Sequence, residues 1–137
     1  DATRWGLYER NAYDSILLDV PCSSERHVLH SPEHLSRWSP KRSRRLSLQA
    51  FAMLAAMIDA ARPGGHVLYV TCALSPAEND EVIAKAFRRR ADQIQQMPLA
   101  LEHGEETRFG VHVLPDTAGG AGPLYAALLR KNVAPRG

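Results

Sequence analysis

Two short apolar runs, each ending in polar residues and separated by one long helical pattern, limit this chain to a narrow set of folds. Ser15-Ile16-Leu17-Leu18-Asp19-Val20 is an unbroken apolar run with a carboxylate near its end, closed by Pro21. That pattern predicts a buried parallel strand. His66-Val67-Leu68-Tyr69-Val70-Thr71-Cys72 predicts a second. Between them, from Arg44 to Arg62, Leu46, Gln49, Ala50, Met53, Leu54, Met57, Ile58 and Ala61 recur at three- and four-residue spacing, with small or apolar residues on other faces, so a largely covered helix is expected. Pro63-Gly64-Gly65 stops it, because proline cannot continue the ladder and glycine takes the left-handed turn. A single crossover helix makes the two strands parallel neighbours.

Downstream, Ser75-Pro76-Ala77-Glu78 places a capping serine, a proline at the first helical position and a glutamate three residues after the cap. The helix predicted from there runs to about Arg90, with Glu78, Asp80 and Glu81 at its positive end and Arg88, Arg89 and Arg90 at its negative end. Residues 93–104 carry no clear pattern. Phe109 to Leu114 and Leu124 to Leu129 predict two strands around a turn-rich connection with Pro115, Gly119, Gly120, Gly122 and Pro123. The order is half of an open α/β sheet closed by an antiparallel hairpin.

The 137 residues suffice for one domain, and an apolar share of 45% with a charged share of 23% excludes disorder by composition. The longest apolar stretch, Leu46 to Ala61, is interrupted by Ser47, Gln49 and Asp59, and falls short of the ~18 uncharged residues of a spanning helix. The chain begins with Asp1 and not with Met, so a targeting segment could precede it.

In open α/β sheets ligands bind beyond the carboxyl ends of the strands. Asp19 and Cys22 follow the first strand there, and Thr71 and Cys72 end the second. Two cysteines make no disulfide framework, so each is expected as a thiol in a reducing compartment. The formal net charge is only +2, but Glu25 to Arg45 carries six basic residues (Arg26, Arg37, Lys41, Arg42, Arg44, Arg45) against two acidic ones. Such a segment is either a phosphate-binding edge or a solvated loop. Rival constellations are poorer. Cys22 with His27, His30 and His34 offers metal-ligand types, yet Pro32 breaks the helical spacing and there is no paired-cysteine knuckle, so no metal is expected. Gly119-Gly120-Ala121-Gly122 precedes a strand where a phosphate loop would open a helix, and Ser23 and Ser24 lack a nucleophile elbow. Met53 and Met57 fit a core.

Taken together and in order, Asp19-Val20-Pro21-Cys22-Ser23-Ser24, Arg62-Pro63-Gly64-Gly65, and Tyr69-Val70-Thr71-Cys72-Ala73-Leu74-Ser75-Pro76-Ala77-Glu78-Asn79 resemble the Sun-domain (RsmB or Fmu type) RNA cytosine-5 methyltransferases. In Arg26-His27, in Ser39 to Arg45 with Gln49, and in Val113-Leu114-Pro115 to Gly122-Pro123-Leu124-Tyr125, the chain looks closest to the mitochondrial ribosomal-RNA branch. Asp1, followed by Arg4-Trp5-Gly6, is similar to the family motif whose aspartate binds the adenosine part of S-adenosylmethionine. The family's cofactor glycine loop and ribose-binding acid are absent from residues 1–137. The resemblance therefore implies the second half of a doubly wound, Rossmann-like methyltransferase sheet, a partial catalytic domain over the whole chain.

The resemblance also implies roles. Cys72 adds to carbon 6 of cytosine, Cys22 assists release, and Asp19 contacts the cytosine edge and the cofactor. Spacing alone does not choose between Cys22 and Cys72, since DNA cytosine-5 methyltransferases use the cysteine of the Pro-Cys motif. Arg37, Lys41, Arg42, Arg44 and Arg45 would hold the RNA backbone while the target base leaves its stack. Ribosomal RNA is the expected substrate, a protein partner could deliver it, and the cytoplasm or the mitochondrial matrix is the expected compartment. A non-catalytic RNA-binding fragment stands as the other functional class, and a domain unrelated to RNA as a third.

Overall fold

The computed structural model describes residues 11–20, 40–72, 76–102, 104–113 and 124–133, excluding the side chains of residues 40, 42 and 76. Strand β1 (Tyr13–Asp19) leads by way of helix α1 (Pro40–Ala60) into β2 (Ala61–Thr71). The expected parallel pairing is present, from Ser15 opposite His66 to Asp19 opposite Val70. A 3-10 turn (Pro76–Glu78) and helix α2 (Asp80–Arg90) follow, then β3 (Ile94–Met97), β4 (Gly104–Glu106), β5 (Val111–Val113) and β6 (Leu124–Lys131).

The chain forms an α/β fold with a six-stranded sheet in the order β1-β2-β6-β5-β4. β6 is antiparallel to β2, with Thr71 opposite Tyr125. Along its other edge β6 pairs with β5 over Leu124 to Ala126 and with β3 over Leu128 to Lys131. The expected closing hairpin is thus β5 and β6, with β6 inserted beside β2. Leu18, Val67, Tyr69, Tyr125, Ala127 and Leu129 project from the sheet into one core with Leu54 and Ile58 of α1 and Val82 and Ile83 of α2.

Several expectations need correction. β1 is not covered on both faces: it ends the sheet, it has a neighbour on one edge only among the described residues, and Leu17 is 69% exposed. Helix α1 begins at Pro40 instead of Arg44, because proline's fixed φ suits a first turn and the basic residues after it form helix readily. Its covered face holds from Ala50 onward, whereas Lys41, Arg44, Arg45, Leu48 and Gln49 are exposed. The cap of α2 is Asn79, whose side chain accepts from the Asp80 amide, and Glu78 lies in the preceding 3-10 turn. Ser75 lies outside the described residues. Residues 93–104 supply β3, which four residues with little apolar alternation did not announce.

The Pro63-Gly64-Gly65 turn has a steric reason for its composition. Three residues of β1, Tyr13 to Ser15, span the same stretch as the six from Ala61 to His66 in β2, so the turn bulges out of the ladder. Gly64 takes φ +86°, which favours glycine. A Cβ on Gly65 would meet the carbonyl oxygens of Arg62 and Asp14 at 2.8 Å and that of Tyr13 at 3.0 Å. These are backbone atoms of two paired strands and cannot swing aside. Gly65→Ala should therefore cost about 1–3 kcal/mol, as other overpacking changes do, read as a lower denaturant midpoint; an unchanged midpoint would contradict this packing.

Candidate active site

The parallel pairing brings two chemically useful strand ends to one edge. Asp19 is the last residue of β1 and is exposed, and the Val20 amide donates to the Val70 carbonyl at 3.0 Å, so the strands stay together past the carboxylate. Thr71 ends β2 and is fully buried, whereas Cys72 follows it into solvent. At ~3.3 Å per strand residue, Cys72 stands about 7 Å beyond Val70, the register partner of Asp19. Cys72 is disulfide-bonded in this structure. Its reactive thiolate would be the species released by reduction. Cys22 lies outside the described residues, as do Asp1 and Arg37.

Helix α1 starts at this same edge. Its last turn meets the beginning of β1, where the Asn11 and Ala12 amides donate to the Asp59 and Ala60 carbonyls at 3.0 and 2.8 Å. Its first turns meet the segment after Cys72: Ser43 Oγ donates to Glu78 Oε2 at 2.8 Å and Ser47 Oγ to the Ala77 carbonyl at 2.6 Å. The side chains of Lys41, Arg44 and Arg45 are exposed on these same turns. Arg42 belongs to the helix as well, and its side chain is outside those described.

A polar frame the sequence did not reveal surrounds the turn after Cys72. Glu78 is only 2% exposed, and Tyr69 Oη donates to its carbonyl at 2.8 Å. Next along the chain, the Asp80 carboxylate accepts from Tyr125 Oη at 2.6 Å, from Thr107 Oγ1 at 2.8 Å, and from the Arg108 and Phe109 amides at 3.2 Å each. It ties the start of α2 to the β4–β5 turn and to the tyrosine opposite Thr71. The Tyr69 and Tyr125 rings meet edge to face at 6.2 Å. Burial, and then the hydrogen bond to Asp80, push the Tyr125 phenol far up, and burial with the Glu78 charge does the same for Tyr69. Both remain neutral donors, which is what these contacts require. His112, opposite Tyr125 in β5, has its pKa lowered by burial against the opposing pull of Asp80 and Glu105. Glu78 was expected as the glutamate three residues after a capping serine, and Asp80 only to complement a helix dipole; no spacing signal announced their contacts with Ser43, Thr107 and Tyr125.

Among the described residues no group of three or more His, Cys, Asp or Glu side chains could hold a metal ion, and the histidines at 27, 30 and 34 lie outside them. No helix among the described residues is long and apolar enough to cross a membrane.

A family model described as 16S rRNA methyltransferase RsmB/F matches residues 1–130. The mouse protein named 5-cytosine rRNA methyltransferase NSUN4 is 33% identical over 146 residues, an alignment covering 96% of this chain and 38% of that protein. Ribosomal RNA small subunit methyltransferase F of Salmonella heidelberg is 38% identical over 99 residues, covering 72% of this chain and 21% of that one. The chain thus spans well under half the length of these relatives. A solved structure titled as a methyltransferase homologue from Pyrococcus horikoshii superposes with a TM-score of 0.76 at 23% identity, covering 96% of this chain and 43% of that one, a likeness of fold. With a match that runs from the first residue through nearly the whole of β6, the chain belongs to the RsmB/F family of 16S rRNA methyltransferases.

Proposed function

We propose that these residues form the nucleophile-bearing half of an S-adenosylmethionine-dependent RNA cytosine-5 methyltransferase acting on ribosomal RNA. The observation that carries this reading is the juxtaposition of Cys72 and Asp19 at the carboxyl edge of one parallel strand pair, in a chain of this family. The open edge of β1 and the groove of about 520 Å³ beside it, lined in part by Ile16, Leu17, Met53 and Met57, fit further strands of the same sheet. Those strands would carry the cofactor's glycine loop in a longer protein.

Asp19, exposed at a strand end, fits the near part of the cofactor, and Asp1 would hold the adenosine part by family resemblance. When bound, S-adenosylmethionine supplies an electrophilic methyl carbon. Carbon 5 of cytosine is a poor nucleophile, so the chain's part is to load electron density onto the ring. The Cys72 thiolate adds to carbon 6, and the ring becomes an enamine with electron density at carbon 5. After methyl transfer the carbon-5 proton leaves, the bond from carbon 6 to sulfur breaks, and the aromatic ring returns. Cys22 assists this release, and Asp19 holds the cytosine edge. The chemistry needs a reducing compartment, which fits the cytoplasm or the mitochondrial matrix. A protein partner that delivers the RNA is compatible with the exposed basic turns of α1.

The two thiols should fail differently in the full-length protein assayed under reductant. Cys72→Ala should lower methyl transfer by at least about 10³-fold and form no covalent RNA adduct. Cys22→Ala should accumulate a denaturation-resistant protein-RNA adduct, seen by gel electrophoresis with labelled RNA. An adduct trapped by Cys72→Ala and absent from Cys22→Ala would reverse the assignment, and full turnover in both would exclude thiol catalysis.

Neutralising Lys41, Arg44 and Arg45 should weaken RNA binding and flatten its salt dependence, by roughly 0.7 in the log-log slope for each single-strand phosphate whose cation is removed. An unchanged affinity and slope would make these turns of α1 a solvated face and leave RNA to bind elsewhere.

A further inference from the structure

Glu78 is the one charged side chain among the buried described residues, at 2% exposure. An interior carboxylate is costly unless its environment holds it, and a turn of three residues can be built without one. Its position suggests what it does. Glu78 comes six residues after Cys72 and is held on two sides: Ser43 of α1 donates to Oε2, and Tyr69 of β2 donates to the carbonyl, each at 2.8 Å. Ser47, one helical turn from Ser43, donates to the preceding carbonyl of Ala77. Ser43 is buried and Ser47 half-buried on the face of α1 turned to this segment, while Lys41, Arg44 and Arg45 occupy the exposed faces. The same two turns of helix therefore offer cations outward and brace the segment after the cysteine inward.

We propose that Glu78, held by Ser43, is a positioning residue that fixes the segment carrying the Cys72 sulfur relative to RNA seated on the first turns of α1. The inference rests on the assignment of Cys72 as nucleophile. A thiolate attacking carbon 6 must sit in near-attack geometry, and displacement by about 1 Å can cost ~10²-fold in rate without loss of binding. Releasing the brace should thus slow addition while the cations of α1 keep their grip on the backbone.

The test uses the full-length protein under reductant with S-adenosylmethionine and a small-subunit ribosomal RNA transcript in which 5-fluorocytidine replaces cytidine, so that after methyl transfer the adduct cannot be resolved by proton loss. Ser43→Ala should lower the single-turnover rate of adduct formation at saturating RNA by about tenfold or more, with the RNA dissociation constant within about twofold of wild type. Glu78→Gln, which keeps the volume and an acceptor for Ser43, should hold the rate within about threefold of wild type. Wild-type adduct rates in Ser43→Ala, or a deficit that vanishes on cooling well below that variant's Tm, would overturn the positioning role while leaving Cys72 as nucleophile. A wild-type protein that forms no adduct would overturn the nucleophile assignment and this inference with it.

Discussion

The parallel pairing of β1 with β2 is the constraint from which the site follows. Five consecutive register pairs, Ser15 with His66 through Asp19 with Val70, set the height at which both strands leave the sheet. That height puts an exposed carboxylate and a cysteine at one edge. Parallel neighbours need a crossover, and α1 is that crossover, so its first turns lie at the same carboxyl edge as Asp19 and Cys72. The exposed basic side chains of Lys41, Arg44 and Arg45 stand on those turns. The Gly64-Gly65 bulge lets the chain change direction between α1 and the paired part of β2 without displacing that register.

A second layer of polar contacts turns a strand end into a defined site. Ser43, Ser47, Tyr69, Thr107 and Tyr125 all donate to the short stretch Ala77 to Asp80. These contacts come from α1, β2, the β4–β5 turn and β6, four parts of the chain far apart in sequence. Two carboxylates accept most of them, and hydrogen bonds to charged acceptors are the stronger kind. Both tyrosines remain protonated because burial and the neighbouring carboxylates oppose their ionisation. The exposed Cys72 thus follows a fully paired strand and precedes a turn held by these contacts.

What the sequence disclosed, and what it did not, follows from the range of each interaction. The helical period of Ala50, Leu54, Met57 and Ile58 is local, and the helix it predicts is present. Proline and glycine acted locally too, in the turn at Pro63-Gly64-Gly65, and the two hairpin strands that the sequence predicted are present as β5 and β6. β1 looked buried on both faces because its apolar residues do not alternate, but which strands lie beside it is a matter of the whole sheet. Short β3 owes its existence to pairing with β6, so no period within Ile94 to Met97 could announce it. Glu78 resembled a capping residue by spacing, and its contact with Ser43, 35 residues away, is of a range that no local pattern carries. The roles proposed for the cysteine pair come from motif resemblance, since spacing alone left them open.

The central claim is that the sulfur of Cys72 bonds to carbon 6 of a ribosomal-RNA cytosine. The most direct measurement is peptide mapping by mass spectrometry of the adduct formed when the reduced, full-length protein, supplied with S-adenosylmethionine, is trapped on RNA containing 5-fluorocytidine. A cross-linked nucleotide on the peptide that contains Cys72, with the Cys22 peptide unmodified, is the result predicted. A nucleotide on the Cys22 peptide, with Cys72 unmodified, would contradict it.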